Sequence, residues 1–158
     1  EKMNITYETF FQIRYDAFVS TAKKFEPYVG KEKMLEMLEE LATEKSVEDV
    51  KQRMKDKEIT KFEDFKKIYK ELLDSEFTQK TAVWEIIEDT PKKLKFHFKE
   101  CLWAKTMKEL NATDIGFRFC CQPDYAITTA YHPKVKLTRT KTIMEGDSCC
   151  DHTYTWEE

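Results

Sequence analysis

The chain has 158 residues, of which 41% are hydrophobic and 36% charged, and these values predict one globular domain with a substantial core. The formal net charge of −3 gives no overall positive field for binding phosphates, so we expect no nucleic-acid partner. No run approaches the roughly 18 apolar residues of a membrane span, and the chain begins without the charged-then-apolar order of a secretory signal, so we expect no membrane association.

Apolar residues recur at helical spacing up to about residue 75, which predicts a helical first half. The first predicted helix is long and amphipathic and ends near Pro27 and Gly30. A second apolar stripe, from Met34 to Ala42, predicts another helix. Because the first helix is rich in aromatic residues, we regard a homodimer as a candidate assembly.

Two residue pairs in this half have the form of a capping box, in which a hydroxyl residue precedes an acidic one by three positions. Ser46 with Asp49 is the first pair, and Thr60 with Glu63 is the second. We therefore expect a new helix to begin at each pair, the later one carrying an apolar stripe to Leu73.

After residue 75 the apolar period changes to two, which is typical of strands. Residues 81–88 and 94–98 flank a turn at 89–92 and predict a β-hairpin with one solvated face. His97 falls on that face beside lysines, so we interpret it as a surface histidine.

Helical spacing returns at residues 100–110, with Cys101 in the first turn, where the helix dipole favours a thiolate. A short strand is predicted at 117–120 and a helix from Pro123 to Tyr131. Two final strands are predicted at 134–144 and 149–156.

The separation of helical and strand-rich stretches indicates the α+β class. We expect a single domain in which a helical part, residues 1–75, packs on an antiparallel sheet. That sheet belongs to a β-rich part, residues 76–158, which also contains two short helices.

Alternation along the strand at 134–144 places Arg139 on the apolar face. An inward guanidinium loses hydration worth several kcal/mol unless an anion pairs with it. The candidate anions are Asp124, Asp147, Asp151 and the carboxylate of a bound ligand. A structural ion pair and a ligand clamp are both compatible with this pattern.

All five cysteines lie in the second half of the chain, from residue 101 onwards. They are Cys101, Cys120, Cys121, Cys149 and Cys150. An odd number with two adjacent pairs suits free thiols in a reducing compartment, so we expect a cytoplasmic protein.

Cys150 and His152 share one face of the last predicted strand. Such a pair can be a nucleophile beside its base, or two metal ligands completed by Cys121 or Cys101, or core packing. The tight Cys-x-x-Cys spacing of structural zinc sites does not occur, so the metal remains unknown.

Three segments of the second half resemble the L-2-amino-thiazoline-4-carboxylic acid hydrolase family. They read FCCQPD at 119–124, PKVKLTRTKT at 133–142 and GDSCCD at 146–151, and the likeness covers roughly residues 80 to 157. The motif positions are Cys101, Cys121, Asp124, Arg139, Gly146, Asp147, Cys150 and Asp151. Two positions depart from the pattern: Ser148 replaces a frequent second acid and His152 replaces an aromatic residue.

The resemblance implies hydrolytic opening of a thiazoline or a similar cyclic amidine or amide ring that carries a carboxylate. In that chemistry Cys121 would attack as a thiolate, while Asp124 or Asp151 orients water or passes protons. Arg139 would hold the substrate carboxylate. The remaining predicted substrate-binding residues are Asp147, Cys101, Cys150 and His152. The motifs require no cofactor, and a thiolate-bound metal is the alternative.

Two other classes of function compete with the hydrolase. In the first, the same thiols and carboxylates belong to a non-catalytic sensor module that binds a small molecule or a metal. In the second, the amino-terminal helices form an interaction scaffold and the thiols are part of the core.

Overall fold

The computed structural model describes residues 4–157 and shows the α+β fold that the sequence predicts. The helices are α1 (Tyr7–Val29), α2 (Lys31–Met54), α3 (Phe62–Leu73), α4 (Glu76–Thr81), α5 (Leu102–Glu109), α6 (Thr113–Gly116) and α7 (Pro123–Tyr131). The strands are β1 (Ala82–Asp89), β2 (Lys93–Cys101), β3 (Val135–Thr138) and β4 (Cys150–Trp156). They form a four-stranded antiparallel sheet in the order β1-β2-β4-β3. A π-helical turn (Phe117–Cys121) leads into α7, and a 3₁₀ turn (Ile143–Glu145) precedes β4.

The first helix ends where the sequence predicts, near Pro27 and Gly30, and the second is longer than predicted. α1 passes through Pro27 and ends at Val29, where Gly30 adopts a φ of 84° that favours glycine and reverses the chain directly into α2. The predicted helix start at Ser46 is wrong, because α2 runs through it without a break. Asp49 pairs instead with Lys45, one turn earlier, which stabilises the helix interior.

The start of α3 is where the sequence predicts it, with a different acidic partner. Asp64, rather than Glu63, accepts hydrogen bonds from the backbone N–H groups of Thr60 (3.0 Å) and Lys61 (3.1 Å). These donors hold the pKa of Asp64 below its ordinary value. The short helix α4 was not predicted; Ser75 caps it by accepting from the N–H of Thr78 at 3.3 Å.

The predicted hairpin forms as β1 and β2, and the predicted final strand forms as β4. The predicted strand at 134–144 is correct only over β3. Beyond Thr138, the Asp151 carboxylate accepts the N–H groups of Thr140 and Lys141, which draws the chain away from sheet pairing.

The predicted strand at 117–120 is wrong, because this segment forms the π-helical turn. The N–H of Gln122 donates to the carbonyl of Phe117 at 2.9 Å, the five-residue spacing of a π-helix. Gly116 allows the turn to pack tightly, since a Cβ there would lie 2.7 Å from atoms of Met107 and Met144. The alternating Phe117 and Phe119 gave a false strand period.

Two clusters of buried side chains build the core. The helical cluster joins α1, α2 and α5 and includes Phe11 and Leu35. The sheet cluster packs α3 and α7 on the inner sheet face and includes Val50, Phe65 and Tyr154. Each fully buried side chain of this size contributes about 1.5–3 kcal/mol. Because α2 supplies Leu35 to one cluster and Val50 to the other, it fixes their relative position.

The outer side of α1 keeps several large apolar side chains in solvent. Phe10, Ile13, Phe25 and Tyr28 are exposed, with Tyr28 at 86%. The predicted homodimer would depend on this surface and stays a prediction. Within residues 4–157, no helix combines the length and the apolar character that crossing a membrane requires.

Candidate functional site

A cavity of about 210 Å³ lies where the helical cluster meets the sheet cluster. Its aromatic wall consists of Tyr69 from α3, Phe98 from β2 and Trp103 from α5. Trp103 is held by a hydrogen bond from its indole N–H to the hydroxyl of Tyr15 at 2.9 Å. The cavity therefore has fixed apolar walls, which suit a small ring.

An ion pair between Arg139 and Asp124 forms the charged wall of this cavity. The guanidinium Nη1 donates to Asp124 Oδ2 at 2.8 Å, and Nη2 donates to the carbonyl of Cys121 at 3.2 Å. The side chain of Arg139 is only 3% exposed, and its guanidinium lies over the ring of Tyr125 at 5.4 Å. Of the anions that the sequence offered for Arg139, the structure selects Asp124.

Burial raises the pKa of Asp124 to about 6, although the neighbouring Arg139 works in the opposite direction. Burial also disfavours the charge of Arg139, but Asp124, Cys121, Tyr125 and Cys150 together outweigh it and the pKa of Arg139 is raised. Asp124 can therefore exchange a proton close to neutral pH while the guanidinium stays charged.

Four cysteines line the cavity: Cys101, Cys120, Cys121 and Cys150. Burial raises the pKa of all four thiols, to about 12 for Cys120 and about 11 for Cys150. For Cys121 the carboxylate of Asp124 adds to the effect of burial. These thiols are therefore protonated at neutral pH, and protonated thiols are weak nucleophiles.

Cys101 is the N-cap residue of α5, close to the predicted position in its first turn. The N–H groups of Ala104 and Trp103 favour its thiolate, as the helix dipole predicts. Burial is the larger effect, however, and the pKa of the Cys101 thiol is raised. The last of the five cysteines, Cys149, is buried outside the cavity lining.

His152 shares the inward face of β4 with Cys150, and both line the cavity. Burial, together with the positive charge of Arg139, lowers the pKa of His152 to about 3. The ring packs against Phe96 and Phe98 with centroids 5.3 Å away in each case. A base this weak cannot remove a proton from the Cys150 thiol, so the pair lacks the properties of a nucleophile with its base.

Asp151 and Asp147 lie outside the cavity lining. Asp151 Oδ1 accepts the N–H groups of Thr140 (2.8 Å) and Lys141 (2.6 Å), and Oδ2 accepts the Thr140 hydroxyl. Asp147 Oδ2 accepts the N–H of Thr142 at 2.9 Å. Both carboxylates thus fix the segment that follows Arg139, which gives them a positioning role in the geometry of the site.

Sequence reasoning missed the aromatic wall and Ala82, which also lines the cavity. Tyr69 and Trp103 lie on apolar helical stripes, where an aromatic residue is normally part of the core. No signal along the chain distinguishes them. The metal alternative gains no support, because among the described residues no three His, Cys, Asp or Glu side chains are arranged to hold a metal ion.

The fold and cavity define an α+β protein whose cavity wall carries a carboxylate–guanidinium pair. The sequence profile of the L-2-amino-thiazoline-4-carboxylic acid hydrolase family matches residues 10–154, so the chain belongs to this family. The match confirms the resemblance and extends it across the helical half. A comparison with curated proteins gives no sequence match.

The solved structures that share the fold include the following two. The phenol-responsive sensory domain of the transcription activator PoxR, with phenol, has a TM-score of 0.56 at 9% identity, over 99% of this chain and 77% of that one. A trafficking protein particle complex subunit 3 from Naegleria fowleri, covalently bound to palmitic acid, has a TM-score of 0.53 at 10% identity, over 93% and 97% of the respective chains. At these identities the likeness concerns the fold alone.

Proposed function

We propose that this protein hydrolyses a small cyclic amidine that carries a carboxylate, such as 2-amino-thiazoline-4-carboxylate, by direct attack of water. The observation that carries the proposal is Asp124, a carboxyl group on the cavity wall whose pKa is raised to about 6. A carboxyl group of this pKa is a suitable proton carrier near neutral pH. Membership of the hydrolase family supports the reaction class.

The size of the cavity suits such a substrate. Its volume of about 210 Å³ is below the roughly 300–1,000 Å³ of pockets for drug-sized ligands. Arg139 uses two N–H donors on Asp124 and Cys121. A guanidinium has five N–H donors, so Arg139 retains the capacity to bind a substrate carboxylate.

The proposed reaction adds one water across the ring carbon–sulfur bond. Asp124 accepts one proton as the water oxygen bonds to the carbon between nitrogen and sulfur. The adduct then collapses to a carbonyl, the carbon–sulfur bond breaks, and Asp124 returns its proton to the departing sulfur. The second water proton passes to the ring nitrogen, giving N-carbamoyl-cysteine. Arg139 holds the carboxylate of the substrate through these steps.

The proposal gives Cys121 no covalent role, although the sequence predicts it as the nucleophile. Burial and the Asp124 carboxylate both raise the pKa of its thiol, so the reactive thiolate is scarce. Cys121 instead lines the cavity and supplies the carbonyl that binds Arg139.

The test replaces Asp124 with Asn, which keeps the shape and loses the proton carrier. We expect kcat to fall by about 10²–10⁴-fold, the usual contribution of general acid–base catalysis. In the wild type, kcat/KM should rise with pH through an apparent pKa of about 6. Asp49→Asn is the matched control, because that carboxylate pairs with Lys45 on the surface of α2, outside the cavity lining. Full turnover by the Asp124→Asn variant would rule out this mechanism.

A second candidate function is ligand binding without turnover. The observation that favours it is the aromatic wall of Tyr69, Phe98 and Trp103, together with an ion pair that is already satisfied internally. The fold is shared with a phenol-responsive sensory domain. Calorimetry with phenol and with the thiazoline separates the two: heat of binding for phenol, with the thiazoline recovered unchanged, favours the sensor.

A further inference from the structure

A second concave region lies directly beside the cavity. It is a surface cleft of about 450 Å³ formed by α4, the paired ends of β1 and β2, and α5. Ala82 and Cys101 line both the cleft and the cavity. The two spaces therefore meet at these two residues.

The two residues at the boundary between the cavity and the cleft have small side chains. Ala82 and Cys101 face each other as a registered pair of β1 and β2. Both are partly exposed, and both have small side chains. A register shift between Val83 and Trp84 interrupts regular pairing immediately beyond them. At this point the two residues shared by the cavity and the cleft therefore have only small side chains.

The cleft concentrates positive charge on a chain whose net charge is −3. Its lining contains four lysines and two glutamates. Lys105 pairs with Glu8 at 2.6 Å, and Lys99 pairs with Glu85 at 2.7 Å. The remaining two are Lys80 and Lys108, and within residues 4–157 neither has a carboxylate within 4.0 Å. Cations around a concave opening raise the local concentration of anions.

We propose that the cleft is the entrance to the cavity and that it selects anionic ligands. Ala82 and Cys101 form the passage, and Lys80 with Lys108 supplies the selecting charge. The route itself follows from the shared residues. The identity of the anion, a small carboxylate, rests on the proposed function.

The native cavity cysteines report on the route without any substrate. Methyl methanethiosulfonate, which is neutral, transfers its methylthio group to a thiol, and mass spectrometry of peptides gives the initial rate at each cysteine. Ala82→Leu fills the passage, and Ala82→Val does so with a side chain that suits a strand. We expect initial rates at Cys121 and Cys150 to fall by about tenfold, because close-packed side chains leave no path.

Thermal unfolding of both Ala82 variants establishes that they are folded. Cys149, which is buried outside the cavity lining, is the internal control and should keep its rate. If folded Ala82→Leu and Ala82→Val proteins react at Cys121 and Cys150 as fast as the wild type, the cleft is not the entrance.

Selection by charge is tested with two further reagents, the anionic sulfonatoethyl and the cationic trimethylammonioethyl methanethiosulfonates. The ratio of their rates at Cys150 cancels any change in thiolate fraction. We expect the wild-type ratio to favour the anion at low salt, and Lys80→Glu with Lys108→Glu to shift it by about tenfold towards the cation. Lys51→Glu with Lys67→Glu, an equal charge change on α2 and α3 away from the cleft, should leave the ratio near wild type.

These experiments separate the two proposals. An unchanged ratio in the Lys80→Glu, Lys108→Glu protein overturns selection by the cleft, whatever the enzyme does. Conversely, a shifted ratio together with absence of thiazoline turnover leaves the entrance intact and removes the proposed reaction.

Discussion

Asp124 and Asp151 are both acidic residues that the sequence marks as catalytic, and the structure gives them opposite surroundings. Asp124 lies on the cavity wall, where burial raises its pKa to about 6. Asp151 meets the backbone N–H groups of Thr140 and Lys141 and the hydroxyl of Thr140. Burial opposes these donors, but together they hold the pKa of Asp151 below its ordinary value.

The difference teaches that burial and hydrogen-bond donors, rather than the residue type, decide which carboxylate can change its protonation state near neutral pH. A carboxylate with three donors is a fixed anion that organises backbone. One with a single charged partner in a buried site can change protonation state. In the proposed reaction the region around Asp124 therefore carries the proton transfer, while the region around Asp151 fixes the segment that follows Arg139.

The largest expected effect comes from removing the partner of Asp124. Arg139→Met leaves the partly exposed carboxylate of Asp124 without its cation, and we expect a loss of about 2–3 kcal/mol in the free energy of unfolding. The double variant Arg139→Met, Asp124→Leu should recover most of that loss. Urea denaturation of the two single variants and the double variant measures the coupling. Additive losses would show that the two side chains do not act as a pair.

Asp151→Ala should have the next largest effect, because it leaves two backbone N–H groups of the segment after Arg139 without their acceptor. We expect a loss of about 1 kcal/mol, because water can reach these exposed N–H groups in the variant. Asp151→Asn retains one acceptor oxygen and should lose clearly less. The same urea series measures both. Equal stability of Asp151→Ala and wild type would contradict the anchoring role.

His152→Phe changes how stability depends on pH. In the folded protein the pKa of His152 is lowered to about 3, so unfolding takes up a proton below about pH 6.5 and stability falls as the pH decreases towards 3. The raised pKa of Asp124 acts oppositely between about pH 4 and 6, since the folded state binds that proton more tightly.

The comparison of His152→Phe with wild type isolates the histidine. We expect the variant to lose less stability on acidification, by up to about 1.4 kcal/mol per pH unit between pH 6 and 4. Urea denaturation at several pH values gives, for the variant and for the wild type, the change in free energy of unfolding per pH unit. Parallel slopes would mean that the histidine is not buried in its neutral form.

The smallest expected effect is that of Cys121→Ala on turnover. A protonated thiol that only lines the cavity should leave kcat within about threefold of wild type. Assay of the thiazoline and mass spectrometry of the enzyme under turnover measure this. A covalent adduct on Cys121, or loss of activity in the variant, would transfer the chemistry from the Asp124 region to the thiols.

The fold was largely predictable because its elements carry local signals. The hairpin of β1 and β2 has alternation and a turn, and α3 has its capping residues. The errors at residues 117–120 and beyond Thr138 arise where contacts distant in sequence override the local period.

The site was predictable only in part. Inward-facing Arg139 required an anion, and the structure supplies Asp124. The reading of Cys121 as a thiolate was not supported, because burial cannot be judged from the residues beside it. Tyr69 could not be identified as a site residue from the sequence, because its place in the cavity depends on how α3 packs on the sheet.

The π-helical turn from Phe117 to Cys121 holds one residue more than an ordinary helical turn would. Removing a residue there would rotate everything downstream by about 100° relative to α6. Asp124 would then face away from Arg139, and the carbonyl of Cys121 would be lost to it. The length of this short stretch is therefore more restrictive than its side chains, because a gained or lost position changes the direction in which Asp124 points.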